Sequence, residues 1–159
     1  MTTATTTIRP VRRDPTRTTA LVAGIFYLLT FAASIPALIL LGPVLDNPDY
    51  IISSGADTRV LAGGLLDVVT ALACIGTAVA LYPVVKRQNE GLALGFVTSR
   101  MYEAAVIMIG VVSILAVVTL RQDVGGASAT DTAPLLSVGR SLVAVHDWTF
   151  LLGPGSRPP

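Results

Sequence analysis

Charge is what this sequence has least of. Only 13% of its 159 residues are Asp, Glu, Lys or Arg, where a soluble globular domain carries about 25%. The shortage is local: the charges gather in the N-terminal tail and in a few short connections. Cysteine, histidine and tryptophan occur once each, as Cys74, His146 and Trp148. A single cysteine forms no internal disulfide. One cysteine with one histidine builds none of the common structural zinc sites. The His146-Asp147 pair suggests a metal phosphohydrolase, but such a centre needs several histidines. There is no Gly-Lys-Ser/Thr phosphate loop, no GxGxxG after a strand and no GxSxG elbow. No basic run is dense enough for a nucleic-acid groove. No cofactor, no metal and no enzymatic activity are expected, and the partner implied first is the lipid bilayer.

What is present is long apolar runs. Apolar residues make up 52% of the chain, the composition of a multi-pass membrane protein. Residues 1–17 form a Thr-rich tail with Arg9, Arg12, Arg13 and Arg17, broken by Pro10 and Pro15. They are expected to be disordered. A secretory signal also starts basic, but its apolar region runs only about 7 to 15 residues. The uncharged run from Thr18 to Leu45 is long enough to span, so a retained helix is expected.

Four spans are expected in a transmembrane domain over residues 18–155. The first covers about 20–41, with Pro36 inside it and Gly42-Pro43 as its end. The second covers about 60–85 with one charge, Asp67. Small residues recur there at four-residue spacing, Ala73 with Thr77 and Gly76 with Ala80, which lets helix backbones approach in lipid. The third covers about 92–120 and holds Arg100 and Glu103. The fourth, about 135–154, is partial, its apolar character diluted by Arg140, His146 and Asp147. The fold class is therefore all-α, a transmembrane helical bundle.

Basic residues set the orientation. Arginines fill the tail, and Lys86 and Arg87 mark the second connection, whereas the other two connections carry more acids. Lys and Arg favour the cytoplasmic side. The N-terminus is thus expected inside, with the Asp49 loop outside.

Ionisable residues within spans are expensive to insert and are functional candidates by default. Measured inward from each span's own apolar edge, Asp67 lies roughly 10 Å, Glu103 roughly 13 Å and His146 roughly 16 Å below the outer face. Asp67, Arg100, Glu103, His146 and Asp147 are thus expected to form one intramembrane polar layer. Arg100 and Glu103, three apart on one helix, can pair directly, and Arg100 could also reach Asp67. Thr70, Cys74 and Thr77 would continue the stripe. Two readings stay open. The cluster can be structural, fixing helix register. It can also carry protons or a small solute, or sense them, with His146 suited to proton exchange. Trp148 marks a packing or interfacial position.

Three stretches, "GIFYLLTFAASIPALILLGPVLDNPDYI", the run from "GADTRVLAGGLLDVV" to "SILAVVTLRQ", and "VGRSLVAVHDWTFLLGPG", resemble the bacterial membrane family catalogued as domain of unknown function 4386. The resemblance spans about Thr18 to Gly155. It implies a multi-pass protein of the bacterial cytoplasmic membrane with no assigned activity, so it transfers no catalytic residue. It also implies further apolar spans after the Gly-Pro-Gly. The ending Ser156-Arg157-Pro158-Pro159 is therefore expected to be a truncation, the chain being the N-terminal part of a longer member. Other membrane helices or a second copy would then be its partners.

The orientation yields a prediction. A cysteine at Asp49 should react with a membrane-impermeant thiol reagent from outside, and one at Gln88 should not. Labelling of Gln88→Cys from outside would overturn the assigned topology.

Overall fold

A computed structural model describes residues 15–47, 50–52, 57–124 and 132–152. They form four helices: α1 (Pro15–Leu45), α2 (Asp57–Gln88), α3 (Glu90–Val124) and α4 (Thr132–Leu152). No strand occurs among the described residues. Residues 1–14 of the expected tail and 153–159 lie outside them, while Pro15 to Arg17 are already helical. Proline suits a first helical turn, where its missing N–H has no intrahelical partner to lose.

Three helices, α1 to α3, are long and apolar enough to cross a membrane. They are apolar on nearly every side. Leu28 is 71% exposed and Val79 69% exposed, with Phe31, Ile39, Leu65, Leu72 and Val112 similarly bare. Such a surface is unsuited to water and natural against lipid. The chain is a membrane protein built as a helical bundle. α4 holds Arg140, His146 and Asp147 and falls short of that apolarity, as its diluted composition foretold.

Each helix packs mainly on its sequence neighbour, α1 on α2, α2 on α3 and α3 on α4. All three pairs run antiparallel: Gly63 meets Leu41 while Gly76 meets Phe26, and Gly64 meets Val111 and Leu115. The turn between α2 and α3 is a single residue, Asn89. Its N–H donates to the Val85 carbonyl at 3.1 Å, and its carbonyl accepts from Ala93 N–H at 3.1 Å. Its side-chain oxygen accepts from Leu92 N–H at 3.1 Å, an N-cap for α3.

The helices outrun the apolar runs because backbone hydrogen bonding continues into polar ends that hydropathy does not mark. The end of α1 corrects an expectation. Gly42-Pro43 does not stop it; the helix continues to Leu45 with Pro36 and Pro43 inside. Pro43 has no N–H, so the Ile39 carbonyl one turn earlier loses its normal donor. Arg59, at the start of α2, supplies one: its guanidinium donates to that carbonyl at 3.1 Å.

The end of the bundle where α1 stops and α2 starts is filled by the first connection. Tyr50 and Ile51 are buried in a cluster with Leu41, Val44, Val60, Ile114, Val117 and Val118. The Tyr50 hydroxyl donates to Asp57 at 2.8 Å. Asp57 also pairs with Arg121 at the far end of α3, and the Arg121 guanidinium lies 4.9 Å from the Tyr50 ring centre. Burial pushes the Tyr50 hydroxyl above its ordinary pKa, against a smaller downward pull from Arg121. It therefore stays a donor to Asp57 at neutral pH.

α4 docks through Gly110 of α3. A side-chain carbon there would lie 2.8 Å from Thr149 Oγ1, closer than real contacts allow, and 3.0 Å from His146 Nδ1, tighter than most.

Two stability predictions follow from these contacts. Gly110→Ala should lower the thermal midpoint in detergent, by the ~1–3 kcal/mol typical of overpacking. Gly95→Ala, where an added carbon meets nothing within 4 Å, should be neutral or slightly stabilising; equal effects would refute the close approach. Arg59→Met should cost about 1 kcal/mol, the low end for losing a donor to a freed carbonyl at an exposed site. Adding Pro43→Ala, which restores the helix's own N–H, should recover most of that loss.

Candidate functional site

The register of α2 against α3 decides which polar groups meet. Asp67 lies 22 residues before Asn89, and Glu103 lies 14 residues after it. Measured from their shared turn, the two carboxylates differ in height by roughly 12 Å. Gly110, 21 residues past the turn, is level with Asp67 instead. The five residues expected in one layer are therefore divided. The sequence estimate counted each depth from a separate apolar edge, and helices longer than the membrane make those edges poor rulers.

The group nearer the Asn89 turn belongs to Arg100. Its guanidinium donates to Glu103 Oε2 at 2.6 Å. The side chains are 16% and 18% exposed. The same guanidinium lies 4.8 Å from the Tyr27 ring centre on α1 and 4.0 Å from Cys74 Sγ on α2. Cys74 itself is fully buried with Ala71 and Ala104. The arginine thus pairs with Glu103 within α3 by a charge-assisted hydrogen bond and reaches α1 through the cation–π contact and α2 through the Cys74 sulfur. Arg100 turns to Glu103 here, a full level below Asp67.

The stripe of Thr70, Cys74 and Thr77 has no ligand-facing hydroxyl. Thr70 Oγ1 donates to the Leu66 carbonyl at 3.0 Å and Thr77 Oγ1 to the Ala73 carbonyl at 2.8 Å. Ser113 bonds Ile109 in the same way at 3.0 Å. Each hydroxyl is satisfied by its own helix, one turn back. Ala73 and Thr77, one of the small-residue pairs, are both buried.

The group farther from the Asn89 turn is Asp67 and His146. Both line one cavity of about 130 Å³, with Ser34, Ile35, Leu38 and Leu41 of α1 as its remaining walls. His146 is 4% exposed, its Nδ1 edge against Gly110 and its own carbonyl accepting from Thr149 Oγ1 at 2.7 Å. The cavity has room for a few waters. It is well below the roughly 300–1,000 Å³ of ordinary ligand pockets.

Asp147, next in sequence, points elsewhere. It is exposed and lines a separate cleft of about 190 Å³. Arg140, Asn47 and Tyr50 supply the other polar groups of that cleft, over a floor that includes Val44 and Val117. Trp148 is exposed. Among the described residues, no three of His, Cys, Asp and Glu gather as a metal site would require.

Sequence reasoning missed the Tyr50–Asp57–Arg121 network, because those residues were read as loop charges. A signal existed: Tyr50-Ile51-Ile52 is an apolar triplet inside a polar connection, flanked by acids.

No curated protein and no solved structure matches the chain. A family model does, over residues 22–156, a range that takes in the Asn89 turn, the Arg100–Glu103 pair and the Asp67–His146 cavity. On that match the chain belongs to the family described as Domain of unknown function (DUF4386).

Proposed function

We propose that this is a non-enzymatic integral protein of the bacterial cytoplasmic membrane, N-terminus inside, whose intramembrane charges serve chiefly to hold its helices in register. Its working surfaces are those facing lipid and other membrane helices, including a second copy; nucleic acid is not among its partners. The observation that carries this reading is the Arg100 site. The guanidinium is paired with the protein's own Glu103 and lies over the Tyr27 ring, with Cys74 and Phe96 as weaker neighbours, so its charge is met within the protein. The self-satisfied hydroxyls of Thr70, Thr77 and Ser113 support the same view.

A second reading, a proton-coupled or small-solute carrier or sensor, is favoured by one observation. Asp67 and His146, from two different helices, open into the same cavity. Ionisable groups placed so in membrane proteins mark proton and ion paths.

The structural reading is tested on the pair it depends on. Arg100→Met strands the Glu103 carboxylate and should destabilise the protein strongly, toward the ~3 kcal/mol lower end for breaking a buried pair. Arg100→Met with Glu103→Met replaces both partners by apolar groups and should recover most of the loss, read as the thermal midpoint in detergent. A double variant that melts as low as the single one would sink the reading.

A further inference from the structure

The cavity between α1, α2 and α4 is lined by two titratable groups, Asp67 and His146. Its other lining residues, Ser34, Ile35, Leu38 and Leu41, carry no charge. α3 meets His146 through Gly110, which brings no ionisable group. On α4 the nearest charge in sequence is Asp147, which lines the other cleft. The Arg100–Glu103 pair sits about 12 Å lower, measured from the Asn89 turn. Among the described residues, Asp67 is thus the charged side chain that shares the cavity with His146.

An isolated carboxylate in apolar surroundings is strongly disfavoured. So is an isolated imidazolium. A carboxyl and an imidazole facing one space can avoid both states by keeping one proton between them. The pair is then neutral overall, either as carboxylic acid with neutral imidazole or as carboxylate with imidazolium. Removing that proton leaves a net negative charge, and adding a second leaves a net positive one. Groups so coupled titrate as a unit, in two separated steps. The cavity volume suits the bridging waters that such sharing needs.

We propose that this cavity is a hydrated proton site, in which Asp67 and His146 hold one proton in common. The proposal rests on the second reading above and names its ligand, the proton. The site lies level with Gly110, above the Arg100 pair, so the inner structural lock and the outer proton site are separate devices.

The composition offers a clean probe, because His146 is the only histidine. Histidine labelled with ¹⁵N and ¹³C in the full chain in detergent reports this ring alone. The titration midpoint of its resonances is measured by NMR in wild type and variants. Asp67→Asn should move the midpoint at least tenfold in proton concentration, and Asp147→Asn less than twofold. Leu38→Phe, which fills the cavity from α1 without touching a charge, should also move it severalfold; it serves if Asp67→Asn does not fold. A midpoint unmoved by the Asp67 or the Leu38 change overturns the site, as does an equal response to Asp147→Asn. Vesicles containing the protein, loaded with a pH-sensitive dye, separate this from carriage. Coupled titration without proton flux keeps the site and removes the carrier reading. Flux with an uncoupled titration does the reverse.

Discussion

Asn89 reverses the chain between two long helices with a single residue. That constraint leaves no slack for α3 to slide along α2. Every contact between the two helices follows from it, from Gly64 against Val111 and Leu115 to Cys74 beside Arg100. The heights of the ionisable groups follow as well. A longer connection would have let Arg100 rise toward Asp67 and merge the two sites. The short one keeps the Arg100–Glu103 pair low and pushes Asp67 up to the level of Gly110 and His146.

The bundle then treats its polar groups in two ways. Some are closed off by the chain itself. Arg100 has Glu103 and the face of Tyr27, Arg59 fills the bond that Pro43 cannot make, and buried hydroxyls fold back on their own carbonyls. In lipid this is close to obligatory, since no water is present to satisfy a freed backbone group. Others are left facing a space, as Asp67 and His146 do. The end of the bundle opposite the Asn89 turn belongs to the first kind. Tyr50 and Ile51 plug it, and Asp57 and Arg121 tie the plug to the starts and ends of neighbouring helices.

Much of the fold was legible. Four apolar segments gave four helices, because twenty or so apolar residues in lipid have few alternatives to a helix. The weak fourth segment was readable as weak from Arg140, His146 and Asp147. The Arg100–Glu103 pair was readable from its three-residue spacing. Depth was the misleading quantity. Hydropathy gives each helix its own edges, and those edges drift when helices exceed the membrane's thickness. The better ruler, the tight Lys86-to-Gly91 connection, was in the sequence. Pro43 misled in another way. Proline signals a helix end only where nothing else can serve its orphaned carbonyl, and the rescuing Arg59 lies sixteen residues further on. The seating of His146 on Gly110 depends on a helix-to-helix approach that no local pattern encodes.

The central claim is that the intramembrane charges occupy two levels, Arg100 with Glu103 on α3 and Asp67 of α2 with His146 of α4. Paired cysteine cross-linking tests it directly, in a Cys74→Ser background with a short bifunctional thiol reagent. Asp67→Cys combined with His146→Cys should cross-link efficiently across the cavity. Asp67→Cys combined with Glu103→Cys should not, because the Asn89 turn sets those positions about two helical turns apart. Efficient linkage of Asp67→Cys to Glu103→Cys, without linkage to His146→Cys, would show a single layer and contradict the account.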